Sequence, residues 1–238
     1  MKSPSFFNWS GGKDSALALY KALLSEEYDI QYLLTSFNSV HNRVSMHGVR
    51  RSLTEAQAAA IGLPLLAVEL SEDPSMQEYE TKMREVLTAL RDKGCCTAIY
   101  GDIFLEDLRT YREEKLKSGG LECVFPLWKT DTAVLIKEFI DTGFKAVIAC
   151  VNAAFLDKNF CGRLIDESFI NDLPKDVDPC GENGEFHSFV FDGPIFKQPV
   201  KFKQGRTTYK QYEVSRLNNV DDVKKKYGFW FCDFEMVN

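Results

Sequence analysis

Between Ser5 and Val151, short apolar runs alternate with longer amphipathic segments. Ser5–Trp9, Gln31–Phe37, Leu65–Leu70, Thr97–Tyr100, Leu121–Phe125 and Ala146–Val151 read as strands. Between them, Ser15–Leu24, Val49–Ile61, a long segment opened by Pro74 and ended by Gly94, Leu105–Lys117 and Thr130–Thr142 read as helices. The first helix is expected to turn Ala16, Leu17, Leu19, Tyr20, Leu23 and Leu24 inward. Alternation of this kind predicts an α/β fold, a parallel doubly wound sheet with helices on both faces. Ligands of such sheets lie beyond the carboxyl ends of the strands, where the strand order reverses. Ser10–Ser15, Ser36–Asn38 and Gly101–Asp102 each follow a strand, so they are expected to meet at one mouth.

After about Asn152 the pattern changes. Leu164–Leu173 reads as a short helix before Pro174, and an acidic, Gly-rich stretch, DPCGENGEFHSFVFDGP, runs from Asp178 to Pro194. Val200–Lys203, Tyr209–Leu217 and Phe229–Phe234 read as strands. The expectation is a main α/β domain over 1–155 and a smaller C-terminal α+β subdomain over 156–238.

The loop Ser10-Gly11-Gly12-Lys13-Asp14-Ser15 joins the first strand to the first helix. Gly11 and Gly12 permit a tight turn that brings backbone N–H groups toward an anion. The helix N-terminus adds unpaired donors and a partial positive charge. Lys13 adds a full charge, and Ser10 and Ser15 add hydroxyls. This is a nest for a di- or triphosphate; a plain helix-capping turn is the alternative. Asp14 is the odd member, explained by capping or by holding Mg²⁺ directly or through water. A Walker A loop is excluded, because it needs glycine where Phe7 stands and Ser or Thr where Asp14 stands.

With this loop near the N-terminus, the chain resembles the PP-loop ATP pyrophosphatase superfamily, whose members cleave ATP between its α and β phosphates. Three further stretches narrow the resemblance. They are Met46-His47-Gly48-Val49-Arg50 with Glu55-Ala56-Gln57-Ala58 and Gly62-Leu63-Pro64-Leu65; Tyr100-Gly101-Asp102-Ile103 with Arg109 and Arg112; and Gly181-Glu182-Asn183-Gly184-Glu185-Phe186-His187 with Asp192-Gly193-Pro194 and Phe196. Together they are similar, in order and over nearly the whole chain, to the diphthine–ammonia ligase family. The resemblance implies ATP and Mg²⁺ as cofactors, with AMP and pyrophosphate as products. It further implies ammonia as nucleophile and an acceptor carboxylate, on elongation factor 2 or elsewhere.

Such a ligase must adenylate a carboxylate and present neutral ammonia. Lys13, the loop amides and Mg²⁺, which Asp14 would hold, are expected to stabilise the departing pyrophosphate, so Lys13 and Asp14 are the expected catalytic residues of this loop. Glu182, Glu185 and His187 are expected to hold ammonium or the quaternary ammonium of diphthine, with Glu185 and His187 on one face of a strand; a hairpin with solvated acids is the bland alternative. His47 contacts the nucleotide or serves as a structural hydrogen-bonder. Asp102 holds phosphate, Mg²⁺ or ribose, or caps a helix. Arg109 and Arg112 reach phosphate or face solvent. Nucleotide binding is thus expected from Ser10 through Ser15, Ser36, His47, Gly101 and Asp102, and metal binding from Asp14 and Asp102. His41 has no assigned role.

Composition narrows the other readings. The 238 residues carry a net charge of −6, a poor match to a nucleic-acid backbone. The exception is Lys197–Lys226, where Lys197, Lys201, Lys203, Arg206, Lys210, Arg216, Lys224, Lys225 and Lys226 outnumber Glu213, Asp221 and Asp222. That run is a solvated face or a dock for an acidic partner. The seven scattered cysteines include no C-x-x-C, which argues against a disulfide framework, a zinc site or sulfur transfer. No run approaches the ~20 apolar residues that span a bilayer; with no signal-like start, a cytoplasmic protein is expected. A tRNA-modifying relative and a non-catalytic ATP or AMP sensor are the competing functions, and a homodimer is left open.

Overall fold

The computed structural model describes residues 1–45, 47–214 and 225–237. Among these residues the elements run β1 (Ser3–Asn8), α1 (Lys13–Leu24), β2 (Tyr28–Asn38), β3 (Arg43–Val44), α2 (Arg51–Ile61), β4 (Leu65–Leu70), α3 (Met76–Asp92), β5 (Thr97–Ile99), α4 (Glu106–Ser118), β6 (Glu122–Val124), α5 (Thr132–Asp141) and β7 (Lys145–Asn152). There follow a 3-10 turn (Lys158–Phe160), α6 (Glu167–Asp172), β8 (Phe186–Asp192), β9 (Phe202–Val214) and β10 (Lys225–Met236). The expected strand Tyr209–Leu217 is the outer part of β9; its last residues lie outside the described ones, as do Arg216, Asp221, Asp222 and Lys224 of the basic run.

The first sheet pairs β4, β2, β1, β5 and β6 in parallel, and the short β3 runs antiparallel to the end of β2. The order reverses between β1 and β5, which brings the loops that follow these strands together as expected. Alternate residues of β1 face opposite layers. Phe7 packs with α1, α2 and α5, whereas Phe6 packs with Leu90 of α3 and Leu116 of α4.

β7 does not join this sheet, contrary to the expectation for Ala146–Val151. It lies inside a second, antiparallel sheet of order β8-β7-β10-β9. The division between sheets therefore falls ahead of β7. Helix α1 is wedged between the layers, with Ala16, Leu17, Ala18, Leu19 and Ala22 all buried, the signature of a helix covered on most sides. Its inner face ends early: Leu23 and Leu24 are 41% and 62% exposed, not inward as the spacing suggested. One continuous core joins α1 and Phe7 to Phe186, Phe189 and Phe234 of the second sheet.

Cys95, Cys150, Cys161, Cys180 and Cys232 are buried free thiols, and Cys96 is exposed. No helix among the described residues is long and apolar enough to cross a membrane.

Candidate active site

The loop after β1 is held from both sheets. Gly11 adopts a positive φ of 79°, and an added Cβ would lie 2.6 Å from Gln57 Oε1, so only glycine fits. Fully buried Gln57 of α2 donates to the carbonyls of Gly11 (3.0 Å) and Val190 (2.6 Å), and accepts from Trp9 Nε1 at 3.1 Å. Val190 of β8 also donates its N–H to the Gly11 carbonyl at 2.9 Å. Ser188 Oγ accepts from the Lys13 N–H at 3.0 Å. Ser10 Oγ accepts from Gly12 N at 3.3 Å and donates to Ser15 Oγ at 3.1 Å.

The loop after β5 closes on the same point. A Cβ on Gly101 would lie 3.0 Å from Ser15 N and 3.1 Å from the Asp14 carbonyl. The missing side chain is what lets the two loops touch. Asp102 follows, and Arg112 of α4 pairs with it, Nε to Oδ2 at 2.8 Å. The Arg112 guanidinium lies 4.1 Å over the Tyr100 ring.

These loops open on a cavity of about 420 Å³. Its wall includes Ser10, Lys13, Asp14, Ser15, Ser36, His47, Gly101 and Asp102 from the first sheet's side, and Glu182 and His187 from the second. Arg112 also lines it, together with Tyr79, Met83 and Tyr100. Gly11 and Gly12 shape the loop from behind. Arg109 is elsewhere, over Trp128 at 4.6 Å and paired with Glu113. His41 pairs with Glu72 at 2.9 Å on the surface.

Among the residues expected to be catalytic, Glu185 is the exception. It is 1% exposed and does not line the cavity. Its carboxylate accepts from Asp178 N (3.1 Å), Asn183 N (2.9 Å) and Asn183 Nδ2 (3.1 Å). Asp178 returns the favour: its Oδ1 accepts from Cys180 N and Glu182 N, and its Oδ2 accepts from Thr132 Oγ1. The two acids brace the 178–185 loop from within. Glu185 precedes β8, so strand alternation never placed it beside His187.

Charge is dense here. Lys13 Nζ donates to Asp14 Oδ1 and Oδ2 (2.9 and 2.7 Å) and to the Cys180 carbonyl, and lies 5.3 Å from the Phe186 ring centre. Burial alone would lower its pKa; Asp14 and Glu182 more than offset that and hold it raised. Glu182 is pushed up to about 7 by burial and by Asp14, Asp102 and Asp178. Burial, opposed by Arg112, also raises Asp102. His47 is lowered to about 4, chiefly by burial, with Lys13 adding to it. Burial, with His47 and Lys13 adding to it, also holds His187 well below its ordinary value. At neutral pH both rings are uncharged.

Two family models match the chain: the diphthamide synthase N-terminal domain over residues 1–123 and the diphthamide synthase C-terminal domain over residues 131–226. The chain belongs to the diphthamide synthase family. The break between the two family domains falls just before α5 and agrees with the division between sheets. The chain is 25% identical over 214 residues to a diphthine–ammonia ligase of Homo sapiens, covering 80% of this chain and 79% of that one. It is 24% identical over 212 residues to one of Danio rerio, with 80% and 83% covered. To one of Bos taurus it is 30% identical over 122 residues, with 49% and 46% covered. The resemblance to the diphthine–ammonia ligase family read from the motifs is borne out by these matches.

Sequence reasoning gave no role to Gln57, Ser188 or the Cys180 carbonyl. For Gln57 a signal existed: it stands with Leu53 and Ala60 on the inner stripe of α2, where an amide is out of place unless something buried needs it. Nothing in the sequence marks a backbone carbonyl.

Proposed function

We propose that the chain is an ATP-dependent ligase that joins ammonia to an adenylated carboxylate, as a diphthine–ammonia ligase does. The observation that carries this is the convergence of the Ser10–Ser15 loop and the Gly181–His187 segment, from two sheets, on one cavity. The first suits a triphosphate and the second an acceptor.

In this reading an acceptor carboxylate oxygen attacks the α-phosphorus of ATP. The α–β anhydride bond breaks and pyrophosphate leaves toward Lys13 and the N-terminus of α1, which stabilise its charge. To do so, Lys13 exchanges a carboxylate partner, Asp14, for phosphate oxygens. Ammonia then attacks the carbonyl carbon of the mixed anhydride, the bond to the AMP oxygen breaks, and an amide forms. Glu182, poised near neutrality, takes the proton from ammonium before the attack, and the proton that the nitrogen loses as the amide forms passes to the departing AMP phosphate. His47 and His187, both uncharged, line the site without repelling a cation. Tyr79, on the cavity wall with Asp102 and Glu182, suits the quaternary ammonium of diphthine. A protein acceptor resembling elongation factor 2 fits the same reading.

Asp14, Asp102 and Glu182 crowd one another electrostatically, and hard oxygen donors of this kind fit Mg²⁺. Among the described residues no three His, Cys, Asp or Glu side chains form a ready cage; Mg²⁺ commonly relies on one or two carboxylates plus phosphates. Asp14 and Asp102 would hold it, and it would neutralise phosphate charge. The test is product analysis with ATP, Mg²⁺, ammonium and a diphthine-bearing acceptor. AMP, pyrophosphate and an amide are expected; ADP and orthophosphate would refute the assignment. Tight ATP binding with no acceptor-dependent turnover would favour a sensor.

A further inference from the structure

His47 reaches the cavity from a tight turn between β3 and α2. Within the turn, Val44 N donates to Val49 O at 2.8 Å, Gly48 N to Val44 O at 3.0 Å and His47 N to Ser45 O at 2.8 Å. At its base Arg43 and Arg50 form an antiparallel bridge. Two guanidinium groups directly opposite one another repel and would spread the turn.

The second sheet supplies the counter-charge. Asp233 of β10 accepts from Arg43 Nη2 at 2.9 Å and Arg50 Nε at 3.0 Å through one oxygen, and from Arg50 Nη2 through the other. Arg50 also reaches Glu235 at 3.1 Å. Arg43 Nη1 donates onward to the carbonyl of Gly48, the neighbour of His47, at 2.7 Å. On the same strand, Phe231 packs under Gly48, where a Cβ would approach within 3.0 Å of the ring. Asp233, Arg43 and Arg50 are 26%, 32% and 37% exposed, so solvent screens this cluster less than an open surface pair. His47 in turn lies against the phosphate loop: its Cε1 is 3.0 Å from the position of a Cβ on Gly12.

We infer that Asp233 is a positioning residue of the nucleotide site, acting through the Arg43–Arg50 turn to hold His47 against the phosphate loop. The inference rests on the nucleotide reading above only for its binding consequence; the mechanical part stands on the contacts. The second sheet then sets the affinity of a site whose phosphate loop belongs to the first.

Two measurements on the full chain test it. The first is amide hydrogen exchange without nucleotide. Asp233→Asn is expected to speed exchange at Val44 and Gly48 while leaving the amides of α1 unchanged. Lys203→Ala, which breaks only the exposed Lys203–Glu235 pair, should leave them all unchanged. The second is a double-mutant cycle on ATP affinity. Asp233→Asn and His47→Ala are each expected to weaken ATP about tenfold, and the double variant no more than His47→Ala alone. Additive losses, or unaltered exchange at Val44 and Gly48 in Asp233→Asn, would overturn the inference. A wild-type protein that binds no ATP would sink the nucleotide reading instead, and the exchange result would then decide the positioning role by itself.

Discussion

The rings of His47 and His187 lie 4.5 Å apart, tilted by 31°, one from the turn after β3 and the other from β8. They close the cavity where the two sheets meet, and the fold keeps both uncharged. Each has a native pKa below the ordinary 6.5, His47 at about 4. Between those limits the unfolded chain binds protons that the native state refuses, so stability is intact above about 6.5 and is lost as pH falls toward about 4. The thermal midpoint of the wild type should therefore drop across this window more steeply than that of His187→Asn. Equal slopes would show that the rings protonate freely.

Glu182 carries the opposite sign. Its native pKa is raised to about 7 from 4.5, so its ionisation opposes folding above pH 7 and the penalty vanishes as pH falls through about 4.5. Glu182→Gln should stabilise the protein by about 1–2 kcal/mol at pH 8, discounted for solvent at the cavity wall, and by nothing at pH 4.5. The same substitution should abolish amide formation while ATP still binds. Denaturant melts at the two pH values and single-turnover assays check both halves.

Lys13→Ala should weaken ATP at least about tenfold and depress turnover with it, because one group serves ground state and leaving group alike. Isothermal titration with ATP–Mg²⁺ gives the affinity. Unchanged affinity would place the triphosphate elsewhere.

Glu185→Ala should act on stability first. Removing a buried acceptor that holds the N–H groups of half-buried Asp178 and exposed Asn183 should cost about 1–3 kcal/mol, and the 178–185 loop that carries Glu182 should become sensitive to proteolysis. A stable variant defective only in turnover would restore Glu185 to the chemistry.

Much of this site was legible because its devices are local. The strand, glycine and helix signals around Ser10–Ser15 lie within a few residues, and Leu65–Leu70 was bounded to the residue as β4. What failed was partnership. β7 is apolar on both faces, which suits a central strand of either sheet, so its run Ala146–Val151 could not reveal that β8 and β10 flank it. Glu185 was misplaced because alternation begins only at Phe186, and the turn amides captured the carboxylate first. Gln57 was visible as a polar residue on an apolar stripe, but its partners, the carbonyls of Gly11 and Val190, are remote in sequence.

The placement of β10 between β7 and β9 bears on biosynthesis. A nascent polypeptide emerging from the ribosome makes the strands of the parallel sheet first, yet the loop after β1 still needs Ser188 and Val190 of β8, and the strand that grips Arg43 and Arg50 is made only when translation passes residue 233. Until then the His47 turn has no anchor from β10, so the growing chain should not reach full nucleotide affinity before that strand is complete.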